Sequence, residues 1–118
     1  MKVLVPVNSD GSGGAHFGKA HWVAVADVQD GHIADWQVHE VAWEVSHDMG
    51  SHGSHHARVI GFLKDHSIGF VVAGGMGGGM ARMLDSAKIT VLPATAGDAQ
   101  ASVLNALALH GRQGRHEG

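Results

Sequence analysis

The sequence predicts an α/β fold in which one mixed sheet of five strands packs with three helices. In the first half of the chain, apolar runs of strand length are separated by turn residues, a pattern typical of an antiparallel meander. In the second half, short apolar runs alternate with segments whose apolar residues recur at helical spacing. This alternation favours parallel strands joined by right-handed crossovers. A sheet with the strand order 3-2-1-4-5 satisfies both halves.

Three strands are expected in the first half. The segment Lys2–Val7 is an apolar run that is too short for a helix and ends in a loop of small residues, which predicts a buried strand. A second strand over 22–28 is followed by Asp30-Gly31, a hairpin turn signal. The third strand, over 32–41, alternates apolar and polar residues, as expected for an antiparallel strand with one face in water.

The second half predicts three helices and two further strands. Asp98 belongs to a residue type that is favoured at helix N-caps. The expected elements are a helix from near Ser54 to His66 that ends over 67–69, a strand over 70–73, a helix around 80–87, a strand over 89–92 and a last helix capped by Asp98. We expect a single domain over 1–110 and a frayed tail over 111–118.

Composition excludes several classes of protein. A chain of 118 residues has room for one core. It has no cysteine, which excludes disulfides, zinc ribbons, thiolate-held iron–sulfur clusters and cysteine nucleophiles. The formal net charge of -3 gives no basic footprint for nucleic acid, and no apolar run approaches the roughly 20 residues of a membrane span. Because no targeting segment is recognisable, we expect a cytoplasmic protein that binds neither nucleic acid nor membrane.

Three unusual loops are expected to meet at one edge of the sheet. They follow the first, third and fourth predicted strands, over 8–20, 42–54 and 74–79, and in the predicted topology these strands point the same way. Ligands of open α/β sheets bind beyond the carboxyl ends of the strands. The helices that begin near Ser54 and Gly78 would direct their free N–H groups at the same edge, which favours anions. The loops therefore predict one binding site.

The glycine-rich loop over 74–79 reads GGMGGG, and glycine lets backbone N–H groups approach a ligand closely. The run is neither a Walker A loop nor a G-x-G-x-x-G fingerprint. The alternative is tight packing of a strand against a helix, and a methionine here would more commonly fill the core. The candidate binding residues in this region are Gly74, Gly75, Met76, Gly77, Gly78 and Arg82, the last of which could equally be a surface residue.

The first loop contains His16-Phe17-Gly18-Lys19, followed by a further histidine at His21. Histidine and lysine close to glycine could bind a metal or an anion. The structural alternative is that Phe17 packs in the core and Gly18 permits a tight turn. In that case His16 and Lys19 are ordinary residues of a solvated loop, where both residue types are common.

The second loop is rich in histidine, and imidazole suits zinc, copper, nickel and iron. The candidate metal ligands are His47, His52, His55 and His56. We expect the helix to begin after His52, which would leave His52 in the loop; the two residues His52 and His56 would share a face only if the helix reached further back. The alternative is a solvated loop whose histidines bind metal adventitiously.

Three segments at their spacing resemble the dinitrogenase iron–molybdenum cofactor biosynthesis family, especially its small stand-alone, orange-protein-like members. They are KVLVPV at 2–7, HFGKA at 16–20 and VVAGGMG at 71–77, and the resemblance covers roughly 1–109. It implies a ribonuclease-H-like fold and the binding or carriage of metal–sulfur clusters or their precursors. By position it implies ligand contacts at His16, Phe17, Gly18, Lys19, Gly74, Met76 and Gly77. The chain departs from the family in its lack of cysteine and in its histidine-rich segment over 47–56.

Three functions follow from these observations. The first is carriage, without catalytic turnover, of an anionic metal–sulfur cluster or precursor of the molybdenum, iron or copper type, with a donor and an acceptor protein as partners. The second is storage or sensing of a divalent ion such as zinc, nickel or copper by neutral histidines. Acidification should favour the first and expel the ion in the second. A nuclease or phosphohydrolase is the third, but it would need inward acids to hold magnesium, and the first strand has none. A protein-interaction module is the remaining alternative.

Overall fold

The computed structural model describes residues 1–13, 16–45 and 52–117. Its five strands form one sheet in the order β3-β2-β1-β4-β5, which confirms the predicted fold class and strand order. The elements are β1 (Lys2–Val7), a 3-10 turn (Phe17–Lys19), β2 (Trp22–Gln29), β3 (His32–Glu40), α1 (His52–Asp65), β4 (Phe70–Ala73), α2 (Gly78–Ser86), β5 (Thr90–Pro93) and α3 (Ala99–Glu117).

Strand β1 lies at the centre of the sheet because it is apolar from Val3 to Val7 and can be buried on both faces. It pairs antiparallel with β2, where Val5 lies opposite Ala24, and parallel with β4, where Leu4 lies opposite Val71. Strands β4 and β5 are also parallel, whereas β3 pairs antiparallel with β2. Strands β1, β3 and β4 therefore end at the same edge of the sheet.

Each face of the sheet has its own core. On one face, α1 and α2 pack against the sheet together with Phe17 and Trp43, both fully buried. On the other face, α3 contributes Val103 and Ala106 against Val3 and Val5. The alternation of side chains along β1 assigns its odd and even residues to these two cores, since successive residues of a strand point to opposite faces.

Helix α1 ends as the sequence predicts. Ser67 has a φ of 56°, and the Ile68 N–H donates to the Leu63 carbonyl at 2.9 Å, which together form the hydrogen-bonded stop typical of helix C-termini. The predicted cap of α3 is also confirmed, because the Ala101 N–H donates to Asp98 Oδ2 at 2.9 Å.

The helix boundaries differ from the prediction in two places. Helix α1 includes His52, so the expectation that His52 lies in the loop and the helix begins near Ser54 is wrong. Serine and glycine cost a helix about 1 kcal/mol or less each, and tertiary packing offsets a cost of that size. Helix α3 extends to Glu117, past residue 111 where we expected a frayed tail, while the domain boundary at 110 stays a prediction. Over the described ranges, no helix is long and apolar enough to cross a membrane.

Candidate functional site

The first loop and the glycine-rich loop are joined at the carboxyl edge of the sheet. His16 forms a parallel bridge with Gly75, and the Phe17 N–H donates to the Gly75 carbonyl at 3.0 Å. This contact links segments about 60 positions apart in sequence. It brings the loop after β1 against the loop after β4, as the predicted topology requires.

A cleft of about 330 Å³ opens between these loops and the beginnings of α1 and α2. The first loop supplies one wall, the first two turns of α1 supply a second, and the start of α2 supplies the floor. The lining residues are His16, Gly18, Lys19, His55, His56, Gly77, Gly78, Gly79 and Met80. The structure therefore brings together seven residues predicted from the sequence, namely His16, Gly18, Lys19, His55, His56, Gly77 and Gly78.

Two glycines lie where the walls of the cleft approach each other closely. A Cβ atom at Gly18 would lie 3.3 Å from Met80 Cε and 3.7 Å from His55 Nε2. A Cβ atom at Gly79 would lie 3.2 Å from His56 Cε1, which is tighter than ordinary van der Waals contact. The glycines therefore set the width of the cleft, and a larger residue at either position would narrow it.

The cleft presents positive charge and hydrogen-bond donors. Lys19 is exposed at its rim. The first hydrogen bond inside α2 runs from the Ala81 N–H to the Gly77 carbonyl at 3.0 Å, so the preceding N–H groups, at Gly78 and Gly79 among others, have no acceptor within the helix. No aspartate or glutamate is among the described residues that line this cleft. The arrangement suits an anion.

Phe17 does not line the cleft, although the family resemblance implied a ligand contact there. Its side chain is fully buried and meets Trp43 edge to face, with ring centroids 5.3 Å apart. The structural alternative, a core plug, is the one observed. Phe17 supports the site because its backbone N–H holds Gly75 while its ring anchors the loop in the core.

Three further residues of the glycine-rich segment also lie outside the cleft lining. Gly74 and Gly75 are exposed but are not among the residues that line it, and Met76 packs partly against the core beneath α1 and α2. Arg82 is exposed on α2, where its Nη1 lies 3.6 Å from the position of a Cβ atom at Gly78. Arg82 thus lies beside the rim of the cleft instead of within it.

Only some of the candidate histidines of the histidine-rich segment line the cleft. His55, which is only 3% exposed, and the partly buried His56 both line the cleft, and their ring centroids lie 6.0 Å apart. His52 is in the first turn of α1. His47 lies outside the described residues. Within the described part of the chain, no three or more histidine, aspartate or glutamate residues are grouped closely enough to hold a metal ion.

His21 takes part in a network that its sequence context does not reveal. Its Nδ1 lies 2.8 Å from Glu44 Oε1 and its Nε2 lies 2.6 Å from Glu40 Oε2. These hydrogen bonds, that to Glu44 first and that to Glu40 second, raise the pKa of the His21 imidazole. A ring held at both nitrogens is not a free metal ligand, so His21 joins the ends of β2 and β3 beside the site.

Two lining residues were not among those predicted, Gly79 and Met80. Gly79 is part of the glycine run, so the run itself contained the signal. Met80 has helical spacing with other apolar residues, which predicts a core residue, and it is indeed only 4% exposed. Periodicity could not show that its terminal methyl would also face Gly18 across the cleft.

The chain matches a known protein family and resembles several solved structures. The sequence model described as "Dinitrogenase iron-molybdenum cofactor" matches residues 1–109. Among solved structures, a protein designated PH0822 is 24% identical with a TM-score of 0.69, covering 91% of this chain and 88% of the other. A candidate NifB protein from Thermotoga is 19% identical with a TM-score of 0.66, covering 86% and 83%. A candidate dinitrogenase from Methanocaldococcus jannaschii is 14% identical with a TM-score of 0.64, covering 94% and 89%.

These structures share the fold at low sequence identity, and they confirm the α/β architecture with a mixed five-stranded sheet and three main helices. No curated protein is significantly similar to the chain in sequence.

Proposed function

Because the chain belongs to the dinitrogenase iron–molybdenum cofactor family, we propose that its cleft binds an anionic metal–sulfur cluster or a precursor of one, of the molybdenum, iron or copper type. The protein carries this cargo and does not turn it over. Membership of the family relates the chain to the metal cluster. The observation that supports binding of an anion is a cleft lined by lysine, histidine and helix N–H groups and by no carboxylate among the described residues.

The donors in the cleft suit a sulfide surface. Backbone N–H groups at the start of α2 can donate hydrogen bonds to a charged acceptor, and the positive end of the helix dipole adds attraction. Lys19 and His16 supply further donors from the opposite wall. A thiometallate brings its own sulfur, so a chain without cysteine can hold it through charge and hydrogen bonds.

The glycines explain how a bulky anion could reach the backbone. At Gly77 a Cβ atom would meet nothing within 4 Å, so the path to the α2 N–H groups is open on that side. Contact between ligand and backbone is close where side chains are absent. Recognition of this kind depends on charge and shape, and less on particular ligand atoms of the protein.

A carrier must also receive and release its cargo. We propose that a donor protein delivers the cluster and an acceptor protein removes it, with Lys19 at the rim and the exposed Arg82 beside it facing these partners. Release is feasible because no covalent protein ligand is required in this scheme. Attraction between exposed charges weakens as ionic strength rises, so the affinity for cargo should fall with added salt.

The test uses the untagged protein and tetrathiomolybdate as the probe, followed by visible absorbance and calorimetry. The Lys19→Ala variant should raise the Kd about five- to tenfold, because one charge at about 4 Å in a solvated site contributes about 1 kcal/mol or somewhat more. Lys64→Ala is the matched control, since Lys64 lies in the last turn of α1, far from the cleft. That control should leave the Kd within about twofold.

Zinc provides the opposing measurement. A protein that binds zinc at the cleft but takes up no tetrathiomolybdate would overturn the proposal in favour of a histidine-based divalent site. Equal effects of Lys19→Ala and Lys64→Ala would also contradict it, because they would indicate attraction by net charge alone. Lowering the pH from about 8 to about 6.5 should strengthen binding of the anion as histidines gain protons, and should weaken binding of zinc.

A further inference from the structure

Two histidines lie together at the far end of α1 from the cleft. His39 is on β3, and His66 follows the last residue of α1, so the pair spans the contact between the edge strand and the helix. Their ring centroids are 4.9 Å apart with an angle of 61° between the ring planes. Phe62 packs beside both, at 5.5 Å from His39 and 4.3 Å from His66.

His39 carries a nitrogen that the surrounding protein does not satisfy. Its Nε2 is shielded from solvent and has no hydrogen-bond partner among the residues that the structure describes. Buried polar atoms are nearly always paired, and an exception calls for a ligand, an ion or water. Desolvation, and to a lesser degree the neighbouring His66, lowers the pKa of His39. A lowered pKa favours the neutral imidazole, which is the form that binds metal.

For a nitrogen of each ring directed at a common ion, the separation of the two ring centroids matches shared coordination. A zinc–nitrogen bond is about 2.0–2.1 Å, and the centre of an imidazole ring lies about 1.1 Å beyond its nitrogen, so the ion lies about 3.2 Å from each centroid. Two centroids 4.9 Å apart then subtend an angle of about 100° at the ion. That angle lies close to the tetrahedral value that zinc prefers.

We propose that His39 and His66 bind a divalent transition-metal ion through one imidazole nitrogen each, with solvent completing the coordination. Both side chains are partly exposed, whereas His39 Nε2 itself is shielded, so the His39 ring must turn to meet the ion and its solvent ligands. Imidazole pairs suit zinc, copper and nickel. The ion would join β3 to the end of α1, on the same face of the sheet as Phe62.

This site is separate from the proposed cargo site. The part of α1 between His56 and His66 is about 15 Å long at 1.5 Å per residue. Either site can therefore fail without the other, and zinc bound to the protein would not by itself report on the cleft. Zinc held by this pair should raise the stability of the folded chain, because an ion that binds only the folded state shifts unfolding by mass action.

The test is a zinc titration of the full chain, followed by long-range 1H–15N spectra of the histidine rings and by calorimetry. The ring signals of His39 and His66 should shift together, before those of His16 and His56. His66→Ala should raise the Kd of this site at least about tenfold, since changes to outer-shell partners of a metal already cost 10–100-fold in affinity. His39→Ala should do the same and should also abolish the shift of the His66 signal.

The matched control is His110→Ala. His110 is exposed and lies beside Phe70 on α3, with ring centroids 5.6 Å apart, so its loss should leave the zinc affinity unchanged. Because His39 is partly buried, its replacement is read together with His66→Ala and with the unfolding temperature in the absence of zinc. The proposal is overturned if zinc shifts only the histidines of the cleft, or if His66→Ala binds zinc as tightly as the parent protein does.

Discussion

The Phe17→Ala substitution separates a core role from a ligand role at this position. Phe17 is fully buried and packs against Trp43. Removing a buried phenylalanine ring costs about 3–5 kcal/mol, from lost transfer energy and from the cavity that remains. Domains of this size are stable by only about 5–15 kcal/mol. We therefore expect Phe17→Ala to remove a large fraction of the total stability and to lower the Tm by roughly 12–20 °C.

Urea denaturation followed by circular dichroism measures this loss. Phe17→Leu should cost less than the alanine variant because it leaves a smaller cavity, and its slope against urea should match that of the parent chain. The matched control is Phe70→Ala. Phe70 is partly exposed and lies on the other face of the sheet, so its replacement should cost roughly half as much, in proportion to the apolar area that it buries.

A contact between Phe17 and cargo would give the opposite pattern. In that case Phe17→Leu would weaken binding of tetrathiomolybdate while leaving the urea midpoint unchanged. An alanine variant within about 1 kcal/mol of the parent would likewise refute the reasoning from burial. With the core role, Phe17→Leu should retain most of the binding at a temperature where it is folded, because the ring lies behind the wall of the cleft.

Two further predictions concern the cleft and its border. Gly79→Ala places a methyl group 3.2 Å from the His56 ring, so we expect the Kd for tetrathiomolybdate to rise severalfold in calorimetry. The control Gly61→Ala lies on α1 outside the cleft lining, and its methyl group meets nothing within 4 Å, so it should change the Kd little; equal Kd values for the two variants would contradict this. The pKa of His21 is raised in the folded state. The stabilisation that protonated His21 provides is therefore present below the unfolded pKa of about 6.5, and it is lost as the pH rises through the folded pKa. His21→Gln should therefore lower the urea midpoint at about pH 6 and leave it unchanged at about pH 9, and a deficit of equal size at both pH values would rule out the charged network.

The sheet could be predicted because its signals are local and mutually consistent. The apolar run of β1 indicates a strand buried on both faces, and the alternation in β3 indicates an edge strand in contact with water. These two features, with the crossovers of the second half, leave few arrangements of five strands. The direction of each strand then determines at which edge its loop emerges, so the meeting of the first loop with the glycine run was predictable as well.

Side-chain direction within the loops could not be predicted from the same signals. The local sequence does not show whether Phe17 is a buried core residue or a residue that lines the cleft, because a loop has no periodicity that assigns its residues to a face. The start of α1 was also predicted too late in the chain. Ser54 is a residue type that is favoured at helix N-caps, so it indicated a helix start there and not at His52. In each case the outcome depends on contacts with distant parts of the chain.

The histidines show this limit most clearly. His21 is held by two glutamates from other segments, whereas His39 meets His66 across the contact between strand and helix. All of these lie outside the segment over 47–56 where histidine is densest in the sequence. Density along the chain predicts local metal affinity, but pairing in space follows from the fold, so individual histidines need separate tests.

The glycine run serves two purposes, and its two halves imply different sensitivities to mutation. The first half is structural, because the Gly75 carbonyl holds the Phe17 loop through one hydrogen bond. The second half supplies the floor of the cleft, where backbone replaces side chains. Changes near Gly75 should therefore act on binding through the position of the first loop, and should lower stability and affinity together. Changes at Gly79 act directly on the width of the cleft, and should lower affinity while leaving the fold intact.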